Sequence, residues 1–185
     1  AKRDLKEYHE KGASKSTGIL LKMLKALGVN GKSLLDIGGG VGVIQHELIA
    51  DGLAQAVDID ASEAYIQKAK EEAERQGHLE KISFEQGDFV QLAPDIVSAD
   101  IVTLDKVVCC YPDMRTLVGL SSARAKEFYG LVYPRDNIIS KAVIPIFNFF
   151  AFRLRGNPFR TFIHDTADIE AIIRANGLEK IEHRN

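Results

Sequence analysis

The run from Leu34 to Gly42, LLDIGGGVG, places Gly38, Gly40 and Gly42 on alternate positions just after the acidic residue Asp36. Glycine has no Cβ, so such a loop can adopt positive φ and let a ligand lie against bare backbone. The free N–H groups of a helix that follows can then receive an anionic group such as a carboxylate. Taken alone, the glycines are equally compatible with a tight turn that binds nothing. Asp58 changes this balance. It lies at the end of the next apolar run, where a carboxylate can accept two hydrogen bonds from a ribose diol, so the pair of features implies a nucleoside ligand.

Two nucleoside cofactor classes compete for this pattern. A dinucleotide calls for G-x-G-x-x-G, but counting from Gly38 and Gly40 the last position is Val43. Asp36 would also stand close to the pyrophosphate and repel it, whereas a cationic ligand would be attracted. A nicotinamide-dependent oxidoreductase is therefore disfavoured. DIGGGVG followed by AVDID resembles the class I S-adenosylmethionine-dependent methyltransferases, whose first motif is an acidic residue followed by G-x-G-x-G. The resemblance covers residues 14–135 well and the remainder loosely, without a clear counterpart of the family's seventh, antiparallel strand. It implies S-adenosylmethionine as cofactor and S-adenosylhomocysteine as product. Asp36 and the glycine loop would hold the methionine end, Asp58 the ribose, and Asp88, in EQGDF, the adenine amino group. Phe89 would pack on the adenine ring and Ile59 would add an apolar contact.

These residues need strands and helices to position them. Apolar residues recur at helical spacing over residues 14–27, with Gly28 as a stop. A strand over 33–37 leads through the glycines into a helix over 41–50. A second strand over 54–59 is followed by a helix over 62–76, capped by Ser62 and ended by Gly77. Further strands are expected at 81–86, 100–104, 128–133 and 178–182, with the strand at 100–104 buried on both faces, and helices at 113–126 and 166–175. This alternation predicts an α/β fold, a Rossmann-like doubly wound, mostly parallel sheet flanked by helices. The length of 185 residues fits a single domain. The rhythm is broken at residues 138–154 by IISKAVIPIFNFFAFRL, too short and too interrupted to span a bilayer. It reads either as a helical cap or lid over residues 138–160, with Phe147, Phe149, Phe150 and Phe152 lining a hydrophobic acceptor, or as simple core or dimer packing. Arg153, Arg155 and Arg160 beside it would allow peripheral contact with an anionic membrane.

Ligands of open α/β sheets gather beyond the carboxyl ends of the strands, so Asp105 and the stretch KVVCCYPD after the fourth strand should face the acceptor, with Asp105 also close to the cofactor. The segment lacks the Asn/Asp-Pro-Pro-aromatic tetrapeptide of amino-directed nucleic-acid methyltransferases that resemble this fold. A formal net charge of -2 with interspersed signs offers no cationic field for a phosphate backbone. Both points favour a small, partly apolar acceptor over nucleic acid. Methyl transfer from a sulfonium depends mainly on alignment, so a general base is optional; for a hydroxyl acceptor the candidates are His164, Asp105 and Tyr111. The alternative is a binding module or sensor of the same fold without turnover. The only two cysteines, Cys109 and Cys110, are adjacent, which suits neither a tetrahedral metal site nor a disulfide framework, so no metal is expected. They read as packing residues in a reducing, cytoplasmic compartment.

Overall fold

The computed structural model describes residues 1–134 and 162–184. The apolar segment at 138–154, the cap or lid assigned to 138–160 and the three arginines beside it lie outside the described residues. The elements run α1 (Lys2–Lys11), α2 (Lys15–Leu27), β1 (Ser33–Ile37), α3 (Val43–Ala50), β2 (Gln55–Asp60), α4 (Glu63–Gln76), β3 (Ile82–Gln86), the single-turn α5 (Phe89–Leu92), β4 (Ala99–Asp105), α6 (Met114–Ser122), β5 (Ala125–Val132) and α7 (Thr166–Ala175). The five strands form one sheet in the order β3-β2-β1-β4-β5. Every pairing is parallel. Among the described residues no helix is long and apolar enough to cross a membrane.

The period of two along a strand sends alternate side chains to opposite faces, and two cores result. Leu34, Ala56 and Ile101 pack on one face against Leu20, Leu21 and Leu24 of α2 and Ile44, Leu48 and Ile49 of α3. Leu35, Ile37, Ile59, Val102 and Leu104 pack on the other against Met114, Leu117 and Val118 of α6 and Ile169 of α7. The central strands are therefore apolar on both sides, as a parallel sheet covered by helices requires. At the carboxyl end of the first face, the same alternation brings Asp36, Asp58 and Thr103 into one row, since Asp36 is in register with Asp58 on one side and Thr103 on the other.

Three expectations from sequence need correction. Residues 178–182 do not form a sixth strand; the described stretch 178–184 has no regular structure. Its residues are mostly exposed, so alternating apolar character there had no face to bury. The helix expected over 113–126 stops at Ser122, because the backbone from Ala125 onward pairs with β4. Lys126 and Glu127, exposed on that strand, disguised its start. Helix α1 was not anticipated. It buries no residue, so it lacks the apolar stripe that makes a helix readable. Polar bonds dock it, including Tyr65 to Asp4 and His9 Nε2 to Glu72 Oε2 at 2.8 Å.

Ile101 is fully buried at the centre of the first core. Truncation by Ile101→Ala is expected to lower stability by about 2–5 kcal/mol in urea denaturation, the transfer loss plus the cavity left behind. A change near zero would contradict the packing described.

Candidate active site

The glycine loop joins β1 to α3 and is defined by close approach. Gly38 has φ 69°, and a Cβ there would lie 2.3 Å from Cγ2 of Val107. A Cβ on Gly39 would lie 2.4 Å from both Asp58 Oδ1 and Gln45 Nε2. No other residue fits either position without moving its neighbours. Gly42 then starts α3 in the left-handed conformation, with no side-chain cap on the helix. Asp60, the last residue of β2, fastens the loop from below: its Oδ2 accepts the Gly40 N–H at 3.2 Å and its Oδ1 the Ser62 N–H at 2.8 Å.

Beneath the loop lies the row of polar side chains. Asp36 is buried; its Oδ1 accepts from Thr103 Oγ1 at 2.7 Å and its Oδ2 from Gln45 Nε2 at 3.2 Å. Burial pushes its carboxyl up to about 7, against the pull of those two donors. Asp58 is also buried, and neither of its oxygens has a hydrogen bond of full geometry, although the Gln45 amide and the Gly39 N–H both pull on it weakly. Desolvation first, and the neighbouring Asp36 second, hold its carboxyl well above the usual carboxylate range. Buried acceptors are almost always satisfied, so a carboxyl this poorly hydrogen-bonded beneath a glycine loop is an exception that its own proton or a donor-bearing ligand would resolve. A ribose diol supplies two such donors. The residues present therefore fit the nucleoside that the glycine spacing implies.

The other predicted residues divide. Asp88 caps α5, accepting from the Val90 N–H at 3.0 Å, and its Oδ2 accepts from the Tyr111 hydroxyl at 3.0 Å. Tyr111 is thereby committed as a donor, and burial together with Asp88 pushes its hydroxyl up to about 12. This makes it unfit as a general base near neutrality. Phe89 and Ile59, at 3% and 1% exposure, belong to the second core, so neither side chain is free to stack on a ring. Asp105 ends β4; its Oδ2 accepts from Thr17 Oγ1 of α2 at 2.5 Å, while Oδ1 accepts no hydrogen bond and lies 3.8 Å from Lys106 Nζ. His164 Nε2 lies 3.0 Å from the Tyr111 carbonyl, which brings this residue to the exit of β4 across a long stretch of chain. Since a carbonyl only accepts, Nε2 carries the proton and Nδ1 is left as the basic nitrogen.

Gln45, Thr103, Asp60 and Thr17 escaped the sequence reading. Thr103 did carry a signal, a hydroxyl inside an otherwise apolar strand; Gln45 showed none, because a polar residue in a first helical turn is ordinary. A separate cleft of about 450 Å³, lined by Tyr8, His9, Gly12, Glu47, Arg75 and Gln76, lies under α1 and shares no residue with the glycine loop.

A parallel Rossmann-like sheet with a nucleoside-fitting glycine loop defines the class. Residues 29–132 match the model of a methyltransferase domain family, and the chain belongs to that family, the class I S-adenosylmethionine-dependent methyltransferases. Among curated relatives, the ribosomal protein L11 methyltransferase of Yersinia pseudotuberculosis serotype O:1b (strain IP 31758) is 28% identical over 127 residues, 65% of this chain and 43% of that protein. The enzyme of the same name from Klebsiella pneumoniae is 27% identical over 143 residues, 70% of this chain and 49% of that protein. The chain thus spans less than half the length of these relatives. Among solved structures, magnesium protoporphyrin IX methyltransferase from Synechocystis PCC 6803 with bound S-adenosylhomocysteine superposes with a TM-score of 0.69 at 20% identity, covering 88% of this chain and 71% of that one. An O-methyltransferase family protein from Burkholderia thailandensis gives 0.70 at 17% identity, covering 91% and 52%. These likenesses establish the shared fold.

The raised Asp36 carboxyl has a consequence for stability. Between its ordinary value of 3.8 and about 7 the folded chain holds a proton that the unfolded chain has lost, so this residue makes folding less favourable as pH rises through that window. His46, buried beside His78 and lowered to about 4, acts with the opposite sign up to its ordinary 6.5. Comparison with Asp36→Asn isolates the carboxyl. In urea unfolding of the ligand-free chain, the Asn variant should gain on the wild type as pH increases from about 4 to about 7. Parallel pH profiles would show that Asp36 ionises normally.

Proposed function

We propose that this domain transfers a methyl group from S-adenosylmethionine to a small, partly apolar acceptor. The observation that carries the reading is Asp58: a buried carboxyl group without a hydrogen bond of full geometry on either oxygen, set against a loop whose Gly39 leaves no room for a Cβ. When bound, the cofactor supplies a methyl group already activated on a sulfonium. The chain's own residues then bind and align. Asp58 accepts from the ribose hydroxyls, and Asp88, steadied by Tyr111, accepts from the adenine amino group. Gly38, Gly40 and Gly42 give the methionine end access to bare backbone. Asp36, enclosed by Thr103 and Gln45, acts through the electrostatics and rigidity of the loop floor. At the exit of β4, Asp105 keeps one oxygen for the cofactor or acceptor, and His164 Nδ1 can take the proton of a hydroxyl acceptor.

A small acceptor is supported by the near-neutral charge of the chain. A protein acceptor is the second reading, favoured by the curated relatives, which are named for methylating ribosomal protein L11. Calorimetric titration with S-adenosylhomocysteine, run beside NAD, tests the cofactor; incubation with labelled S-adenosylmethionine and either a panel of hydroxy and carboxy compounds or purified ribosomal protein L11 tests the acceptor. Binding without label transfer to either class would return the domain to a sensor. Asp58→Ala should weaken S-adenosylhomocysteine by about 1–3 kcal/mol, the cost of leaving ribose hydroxyls unpaired. Unchanged affinity would remove the ribose from Asp58.

A further inference from the structure

The turn that follows β4 carries both cysteines of the chain, and residues on either side of them meet Gly38, Asp88 and His164. Cys109 and Cys110 close a short 3-10 turn (Val108–Cys110) with their Sγ atoms 3.7 Å apart, and the two sulfurs lie 3.2 and 3.4 Å from the same acceptor, the Lys106 carbonyl. Cys109 is buried and Cys110 half-buried, so one thiol faces reagents and the other stands behind it. Two residues before the pair, Val107 packs on Gly38 of the loop. Immediately after it, Tyr111 holds Asp88 through its hydroxyl and His164 through its carbonyl. The Cys109 carbonyl accepts the Phe162 N–H at 2.6 Å.

We propose that Cys110 is a peroxide-reactive thiol and Cys109 its resolving partner, so that a hydroperoxide converts this turn into a vicinal disulfide and disengages the cofactor loop. A partly accessible thiol poised next to a second, resolving thiol is an arrangement that redox-sensing cysteines often share. The hydrogen bond from Cys109 lowers the Cys110 thiol to about 7, while the same pairing and burial push Cys109 up. Cys110, the more accessible of the two sulfurs, supplies the thiolate and the buried Cys109 keeps its proton. The Cys110 thiolate attacks one peroxide oxygen, the O–O bond breaks, and the released hydroxide leaves as water with the proton given up by Cys110. The sulfenic acid on Cys110 is then attacked by Cys109; an S–S bond forms and the hydroxyl departs with the Cys109 proton as a second water. The two sulfurs lose two electrons and the peroxide gains them.

The step disturbs the backbone as well as the sulfurs. Neighbouring Cα atoms are fixed at about 3.8 Å apart, shorter than the roughly 4.4–6.8 Å across which a bridge is usually formed, so closing the ring strains the peptide enclosed in it and changes the torsions on either side. That peptide includes the Cys109 carbonyl bonded to Phe162, and its distortion shifts the chain between Val107 and Tyr111. The chemistry stands independently of the proposed function; its effect on affinity rests on that reading.

The test is intact mass of the purified chain after treatment with hydrogen peroxide and quenching, followed by calorimetry with S-adenosylhomocysteine. The wild type should lose two hydrogens and regain them with dithiothreitol. Cys109→Ser should stop at a sulfenic acid that dimedone traps on Cys110, and Cys110→Ser should resist the same dose. The oxidised wild type should bind S-adenosylhomocysteine about tenfold or more weakly, with recovery on reduction, and the double serine variant should ignore peroxide. Thiols that stay reduced, that oxidise independently to sulfinic acid, or that bridge only between chains would overturn the proposal. A disulfide formed with unchanged affinity would overturn its link to the cofactor loop. If the reduced chain itself fails to bind S-adenosylhomocysteine, the cofactor reading falls and the masses still decide the thiol chemistry.

Discussion

Two carboxylates stand side by side on neighbouring parallel strands, Asp36 on β1 and Asp58 on β2, and both are sealed from water. Burying one carboxylate is costly, and burying two in contact range adds repulsion to desolvation. The domain answers unequally. Asp36 receives Thr103 from β4 and Gln45 from α3, and these two bonds stitch the central strands to the helix that follows the glycine loop. Asp58 receives no hydrogen bond of full geometry, only a weak pull from Gln45 and the Gly39 N–H. Its balance must come from a proton or from a ligand, so the state of the site and the protonation of its floor are coupled. The glycine loop packs directly over this pair, and the absence of a Cβ at Gly39 is what lets the backbone lie against Asp58 and Gln45.

The second organising feature is the segment after β4. Lys106 has φ 63°, the left-handed region that a non-glycine residue occupies at a cost, and such strain is held only where the surroundings over-determine it. Here its Nζ donates to Ser14 Oγ at 2.9 Å and approaches Thr17 Oγ1 at 3.3 Å, while Asp105 beside it accepts from the same threonine. Helix α2 thereby does more than cover the sheet: its first turn fixes the direction in which the chain leaves β4. From that bend the chain meets Gly38 through Val107, Asp88 through Tyr111 and His164 through a carbonyl. A single turn thus joins the glycine loop, Asp88 and His164, so a change in it is felt at all three.

Much of this architecture can be read along the chain. The glycine spacing and the acidic residue before it announced the loop, and short apolar runs separated by amphipathic helices announced a parallel sheet. The readings that failed did so for physical causes. Phe89 looked like a ring available to adenine because it follows Asp88, but α5 turns it into the core. Tyr111 looked like a base because of its type, but a carboxylate across the site claims its proton. Helix α1 left no trace because it docks through polar groups rather than an apolar stripe.

By itself the sequence determined the class of fold, the place of the glycine loop and the carboxyl groups around it, because strand and helix periods and the demand for glycine are local properties written in neighbouring residues. The tertiary structure alone decided which carboxylate is satisfied and which is left open. Thr103 reaches Asp36 across 67 residues, and His164 reaches Tyr111 across 53. Those meetings depend on strand register and helix packing, which arise from the cooperative burial of both cores and have no signature in any short window of the chain.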